Sequence, residues 1–209
     1  MLLIERRTFP LTEFRMEEKG SDPPKIVGYA AVFNQLSEDL GGFREKIAPG
    51  AFKKTIQEAD IRALWNHNPD YVLGRNKSGT LKLEEDSHGL RYEVRPRRGG
   101  WIDDLIESIR RRDIQGNSFS FYVSDGGDRW IKRDDGSYLR EITRVAEVQD
   151  VGPVTLPAYR QTIVVARSVA EHASSLRAQD EARNRALAMR AQSLCVELKI
   201  EEIEGSRYL

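Results

Sequence analysis

One cysteine, Cys195, is all that the 209 residues contain. An intrachain disulfide and a cysteine-built zinc cluster are therefore excluded, and a free thiol suits a reducing compartment. No apolar run approaches the roughly 18 residues of a membrane span, and the N-terminus lacks the apolar core of a signal peptide. Charge of either sign is not in excess, with 33 Lys and Arg against 33 Asp and Glu. Net electrostatics thus favour neither nucleic acid nor an anionic membrane as partner. Internal repeats are absent, and Gly41-Gly42 and Gly126-Gly127 lack the strand, loop and helix setting of a phosphate-binding loop. Histidine is scarce too, at three residues, so imidazole chemistry has few candidates. The reading is a soluble, cytoplasmic chain.

What is present divides into a domain over 1–168 and a tail over 169–209. The 39% of hydrophobic residues suffices for one core. Leu2 to Arg7 alternates as a peripheral strand before Pro10, and Glu17 to Pro24 is a polar loop. Lys25 to Phe33, apolar on both faces, is a central strand. Phe43 to Ile47 is a short strand, and Ala51 to Glu58 a short helix packing Phe52 and Ile56. Leu81 and Leu83 pair with Leu90, Tyr92 and Val94 in a hairpin. Trp101 to Arg112 is an amphipathic helix with Trp101, Leu105, Ile106 and Ile109 inward. Its acids Asp103 and Asp104 open it and Arg110 to Arg112 close it, as the macrodipole prefers. A second hairpin turns at Asp134 to Ser137. A long strand then runs from Tyr138 to Val151, with Ile142, Ala146, Val148 and Asp150 mostly on one side and Val145, Glu147 and Val151 on the other, until Pro153 and Pro157 end the ladder. From Val169 to Glu204 neither glycine nor proline interrupts a charged helix whose apolar stripe is thin. Such a helix suits docking or solvent, not a core.

The stretch Gly116-Asn117-Ser118-Phe119-Ser120-Phe121-Tyr122-Val123 carries the chemistry. As a strand it turns Phe119, Phe121 and Val123 to one face and Ser118, Ser120 and Tyr122 to the other. A serine nucleophile on that polar face needs an imidazole within reach and a third group orienting the imidazole. His67, at the exit of the alternating run Ile61 to His67, is the candidate base. His88 lies in a turn and His172 in the tail. Acids follow on the downstream strand.

Several ordered motifs resemble one family. They are Ile26-Val27-Gly28-Tyr29-Ala30-Ala31-Val32-Phe33, Glu45-Lys46-Ile47-Ala48-Pro49-Gly50-Ala51-Phe52, and Leu64-Trp65-Asn66-His67-Asn68-Pro69 followed by Leu73-Gly74-Arg75. Gly79 to Leu83, the serine strand, and Asp150-Val151-Gly152-Pro153-Val154-Thr155-Leu156-Pro157-Ala158-Tyr159 complete the set. Together these look like the tailed-phage prohead maturation proteases, over about residues 4 to 168. The resemblance implies an α+β, mainly β fold related to the herpesvirus assemblins, a closed and mostly antiparallel β-barrel with a few surrounding helices. It implies a serine endopeptidase with no metal or organic cofactor, acting in the host cytoplasm inside the assembling prohead. Its partners would be the major capsid protein with its scaffolding segment, or a scaffold protein, and further copies of itself that it cleaves. By motif, His67 is the general base and Ser118 the nucleophile. Asp150 best matches the acid, with Glu147, by the strand period on the opposite face, as the alternative.

Three positions depart from the family pattern. The turn before the serine strand lacks a glycine between Arg112 and Asp113, Asn117 replaces a bulky apolar residue, and Ser120 replaces a glycine. Ser120 thereby competes with Ser118 as nucleophile. The departures also keep open a second reading, an assembly module on the same fold without catalysis. The tail is expected to be a removable or docking segment.

Overall fold

The structure is a computed structural model that describes residues 4–9, 15–17, 24–40, 42–156, 174 and 176–192. Among the described residues of its first unit, Met1–Arg167, twelve strands and two short α-helices follow one another. They are β1 (Glu5–Phe9), β2 (Arg15–Glu17), β3 (Lys25–Val32), β4 (Phe43–Ile47), α1 (Thr55–Glu58), β5 (Arg62–Leu64) and β6 (Val72–Arg75). After these come β7 (Leu81–Glu85), β8 (Gly89–Val94), α2 (Trp101–Arg110), β9 (Gly116–Val123), β10 (Asp128–Lys132), β11 (Tyr138–Ile142) and β12 (Val145–Val154). The second unit, Ser168–Leu209, is helical over 176–192, where its residues are mostly exposed, Leu187 and Met189 among them. No described helix is long and apolar enough to cross a membrane. Cys195 and His172 lie outside the described residues.

The fold is mainly β with few helices, but the expected closed barrel is not what the ladders form. Among the described residues they make three open sheets, in the orders β1-β9-β12-β5-β6, β2-β3-β8-β7 and β10-β11-β4. Closure needs one uninterrupted ring of hydrogen bonds. Here the chain leaves the first sheet at Arg75, makes a 3₁₀ turn over Asn76–Ser78 and reverses at Gly79, whose φ of 73° suits glycine. It then enters a different sheet as β7.

Phe119 and Phe121 carry the core side of β9 and are fully buried. Their rings stack 4.6 Å apart, and Phe52 meets Phe119 edge-on at 5.6 Å. Each such ring is worth about 1.5–3 kcal/mol of burial. The strand opposite does not keep the simple alternation expected of it. β12 shifts register between Val145 and Glu147 and again between Val148 and Asp150, so that Val145, Val148 and Val151 face Val123, Phe121 and Phe119. Two bulges thus turn a spacing of three into one continuous apolar row. The strand read over Tyr138–Val151 is two strands, split at Thr143 and Arg144, whose amides both reach Gly127 O at 2.8 and 2.9 Å. Pro153 does not stop the ladder either. It pairs opposite Asn117 and the strand runs on to Val154.

Helices are shorter than the sequence suggests. α1 keeps one turn, and Phe52 reaches the core from the turn before it. α2 ends at Arg110, and Arg112 takes a positive φ of 64°. Its inward residues are Ile102, Leu105, Ile106 and Ile109, while Trp101 stays partly exposed.

A buried ionic cluster ties the first sheet to the β10-β11-β4 sheet. Arg7 of β1 donates to Glu45 of β4 at 2.6 and 2.8 Å and to Glu5 at 2.7 Å. Arg140 of β11 donates to Glu5 at 2.7 and 2.9 Å, to Glu45 at 2.9 Å and to Asp128 at 2.6 Å. Burial alone would push the Glu5 carboxyl up, but its bonds to Arg140 and the charges of Arg7 and Arg140 outweigh it and hold it below the usual range.

Candidate active site

Ser118 lies on the polar face of β9, between β1 and β12, and has no exposed surface. Thr8 stands opposite it on one side and Gly152 on the other. Gly152 has a φ of 155°, and a Cβ there would come 2.0 Å from the carbonyl oxygen of Leu64. Only glycine lets β12 approach the end of β5 this closely, and the next residues of that chain carry His67.

The expected strand over Ile61 to His67 ends early, at Leu64. Asn66 and His67 both take φ of 56°, a left-handed conformation that costs an ordinary residue roughly 1–2 kcal/mol. Asparagine tolerates it best, and here it also clamps the loop. Asn66 N donates to Pro153 O at 3.0 Å, its Oδ1 accepts from Thr155 N at 2.8 Å, and its Nδ2 donates to Thr155 Oγ1 at 3.1 Å. Trp65, Tyr71 and Trp101 pack around the same loop with ring centroids 4.9–6.1 Å apart. The imidazole is thereby turned back over the sheet.

Three side chains from β12, the loop and β9 make a continuous row. Asp150 Oδ1 lies 2.5 Å from His67 Nδ1, and His67 Nε2 lies 2.7 Å from Ser118 Oγ. The side chains of His67 and Asp150 are 7% and 10% exposed, so solvent screens the row little. Such a row lets an imidazole take the hydroxyl proton as oxygen attacks an acyl carbon, while the carboxylate fixes the ring. Ser118 Oγ also lies 2.9 Å from Arg7 O and 3.4 Å from Thr8 Oγ1. Its single proton thus has two strong acceptors, His67 and the Arg7 carbonyl.

Glu147 is not part of the row. The bulge before Asp150 restores parity, so Glu147 sits opposite Tyr122 on the same face as Asp150 and not on the opposite one. It is nonetheless exposed, and its Oε1 accepts from Gln149 Nε2 at 3.2 Å. His88 stays in its turn, edge-on to Tyr29. Ser120 reaches Asp150 Oδ2 and not the imidazole. Asn117, on the core side, is held by Tyr92, whose hydroxyl donates to Asn117 Oδ1 at 2.6 Å, and burial pushes that hydroxyl's pKa up. Among the described residues no group of three or more His, Cys, Asp or Glu is placed to hold a metal ion.

Sequence reasoning missed the Arg7 carbonyl and the Asn66 clamp. The carbonyl leaves no mark in residue type. Asn66 does, because asparagine is several-fold enriched among residues with left-handed backbone. Asn66→Ala is expected to slow proteolysis about 10²-fold by displacing the imidazole, with Asn66→Gly, which keeps the backbone conformation, losing less. Rates of product formation with melting temperatures as control would check this ordering, and equal rates for both variants would refute it.

No curated protein matches the chain. The solved structure of the bacteriophage T4 capsid assembly protease, gp21, aligns with 75% of this chain and 98% of its own, at 14% identity and a TM-score of 0.44. The family model described as caudovirus prohead serine protease matches residues 12–175, which include Ser118, His67 and Asp150. The chain therefore belongs to the caudovirus prohead serine proteases, and it is a serine protease.

Proposed function

We propose that Ser118 is the nucleophile, His67 the general base and Asp150 the group that orients the base. The observation that carries this is the unbroken row from Asp150 through His67 to Ser118, at 2.5 and 2.7 Å. Ser118 Oγ attacks the scissile carbonyl as its proton passes to His67 Nε2. The imidazolium, held by Asp150, then gives that proton to the leaving amine as the peptide C–N bond breaks. Water, deprotonated by His67, attacks the acyl-enzyme and frees Ser118. The resting site is closed, since Ser118 has no exposed surface. A peptide reaches Ser118 only when its surroundings open, which suits an enzyme whose activity is withheld until a shell has formed.

The substrates in this reading are the scaffolding segment of the major capsid protein or a separate scaffold protein, and other copies of this chain, met in the host cytoplasm inside the assembling prohead. The tail beyond 168 serves as a docking or removable segment. The test is co-expression with the capsid protein of the same phage under shell-forming conditions, followed by intact mass of every product. Discrete shortened masses of the capsid or scaffold protein, and of this chain, are expected. An unshortened capsid and scaffold in completed shells would sink the proposal.

A further inference from the structure

Ser120 stands one pleat repeat beyond Ser118 on the same face of β9, and it too has no exposed surface. The β9 and β12 register sets it directly opposite Asp150, an alignment created by the bulge between Val148 and Asp150. Its hydroxyl donates to Asp150 Oδ2, while Oδ1 of the same carboxylate holds His67 Nδ1. The two oxygens of Asp150 therefore have different partners on different strands.

A carboxylate with only 7% of the residue's surface exposed has lost most of its water and needs bonds in its place. One bond, to His67, leaves the carboxyl plane free to swing about its last torsion. A second bond from the opposite side fixes that plane, and with it the direction in which the imidazole is held. The hydroxyl of Ser120 is committed to a carboxylate, and the imidazole that would deprotonate a nucleophile is bonded to Ser118 instead.

We propose that Ser120 is a positioning residue for this protease: through Asp150 it locks the His67 ring in line with Ser118, extending the row to four groups. This rests on the reading of Ser118, His67 and Asp150 given above. It also accounts for the departure from glycine at this position, since glycine has no hydroxyl to offer. The serine is thus an added tether for the acid and not a second nucleophile.

The test compares wild type, Ser120→Ala and Ser120→Thr in the full chain, with two readouts and melting temperature as control. The first readout is the proton resonance of His67 Nδ1–H, read in the resting protein, which a short bond to a fixed carboxylate moves far downfield. The second is the rate at which the co-expressed capsid or scaffold protein is shortened. Ser120→Ala is expected to lose or displace the resonance and to slow processing by roughly 10- to 100-fold, with Ser120→Thr retaining both. Wild-type resonance and rate in Ser120→Ala would overturn the proposal, as would losses that threonine fails to restore, which would assign the effect to packing. A retained resonance with processing abolished to the level of a Ser118 variant would make Ser120 the nucleophile and overturn it as well. If wild type itself shortens nothing, the catalytic reading fails, and the resonance still decides whether Ser120 orients the acid. Should Ser120→Ala not fold, Ser120→Gly removes the same hydroxyl.

Discussion

Ser118→Ala is expected to abolish processing of the capsid or scaffold protein and of the chain itself while leaving the fold intact. The change deletes one oxygen from a site with no exposed surface, so little packing is lost. On the proposed reading, what disappears is the atom that bonds to the acyl carbon, together with the donor facing both His67 and the Arg7 carbonyl. In serine proteases the members of such a row act as a unit, and removing the nucleophile lowers turnover on the order of 10⁶-fold. His67→Ala should be nearly as damaging, and the double variant no worse than either, because the second loss removes a partner with nothing left to do. Intact mass of the co-expressed products reads all three. Processing that survives Ser118→Ala but stops with Ser120→Ala would move the nucleophile by one pleat repeat.

Arg140→Ala should strongly destabilise the protein at neutral pH. Its guanidinium bridges Glu5, Glu45 and Asp128, and with Arg7 it compensates two carboxylates that are 5% and 3% exposed. Removing one partner from a buried ion pair costs about 3–5 kcal/mol, a large part of the roughly 5–15 kcal/mol that holds a domain together. The damage reaches the site, because Arg7 offers its side chain to this cluster and its carbonyl to Ser118. The pH dependence has a definite sign. In the intact cluster the Glu5 carboxyl lies below its ordinary value of 4.5, so its contribution is present above that value and is lost as pH falls through the lowered one. Without Arg140 two of the influences that lower Glu5 are gone while those of Arg7 remain, so burial weighs more, Glu5 is held higher than in wild type, and protonation relieves the variant. The stability gap between wild type and Arg140→Ala should therefore narrow as pH falls through the acid range. Urea unfolding at neutral and acid pH measures it, and a gap that widens on acidification contradicts the account.

The faces of β9 could be read in advance because Ser118 to Val123 alternates without a break, and local period is what the pleat imposes. The hairpins at Glu85 to Gly89 and at Asp134 to Ser137 were legible for a similar reason, since turn residues sit between alternating runs. The side of β12 was not. Its valines recur every third residue, a spacing that fits a strand only with two bulges, and bulges are set by the partner strand. Glu147 was placed on the wrong face for that reason alone. His67 was expected at a strand end, yet it sits in a left-handed turn clamped by Thr155, some ninety residues away in the chain. Sheet closure was likewise beyond reach, because it depends on which strands meet and not on how each is patterned.

The place of β12 also governs when the protein acquires its chemistry. β12 lies between β9 and β5, and no ladder joins those two strands directly. Among the described residues it is also the last strand of its unit to be synthesised. A nascent chain that has reached residue 144 already contains Ser118 and His67, but it lacks the strand that brings them side by side and the acid that strand carries. Pairings this distant in sequence form late and slowly. On the reading of Ser118, His67 and Asp150 proposed above, a chain stopped short of β12 lacks Asp150 and the strand that bridges β9 and β5, and the row cannot form.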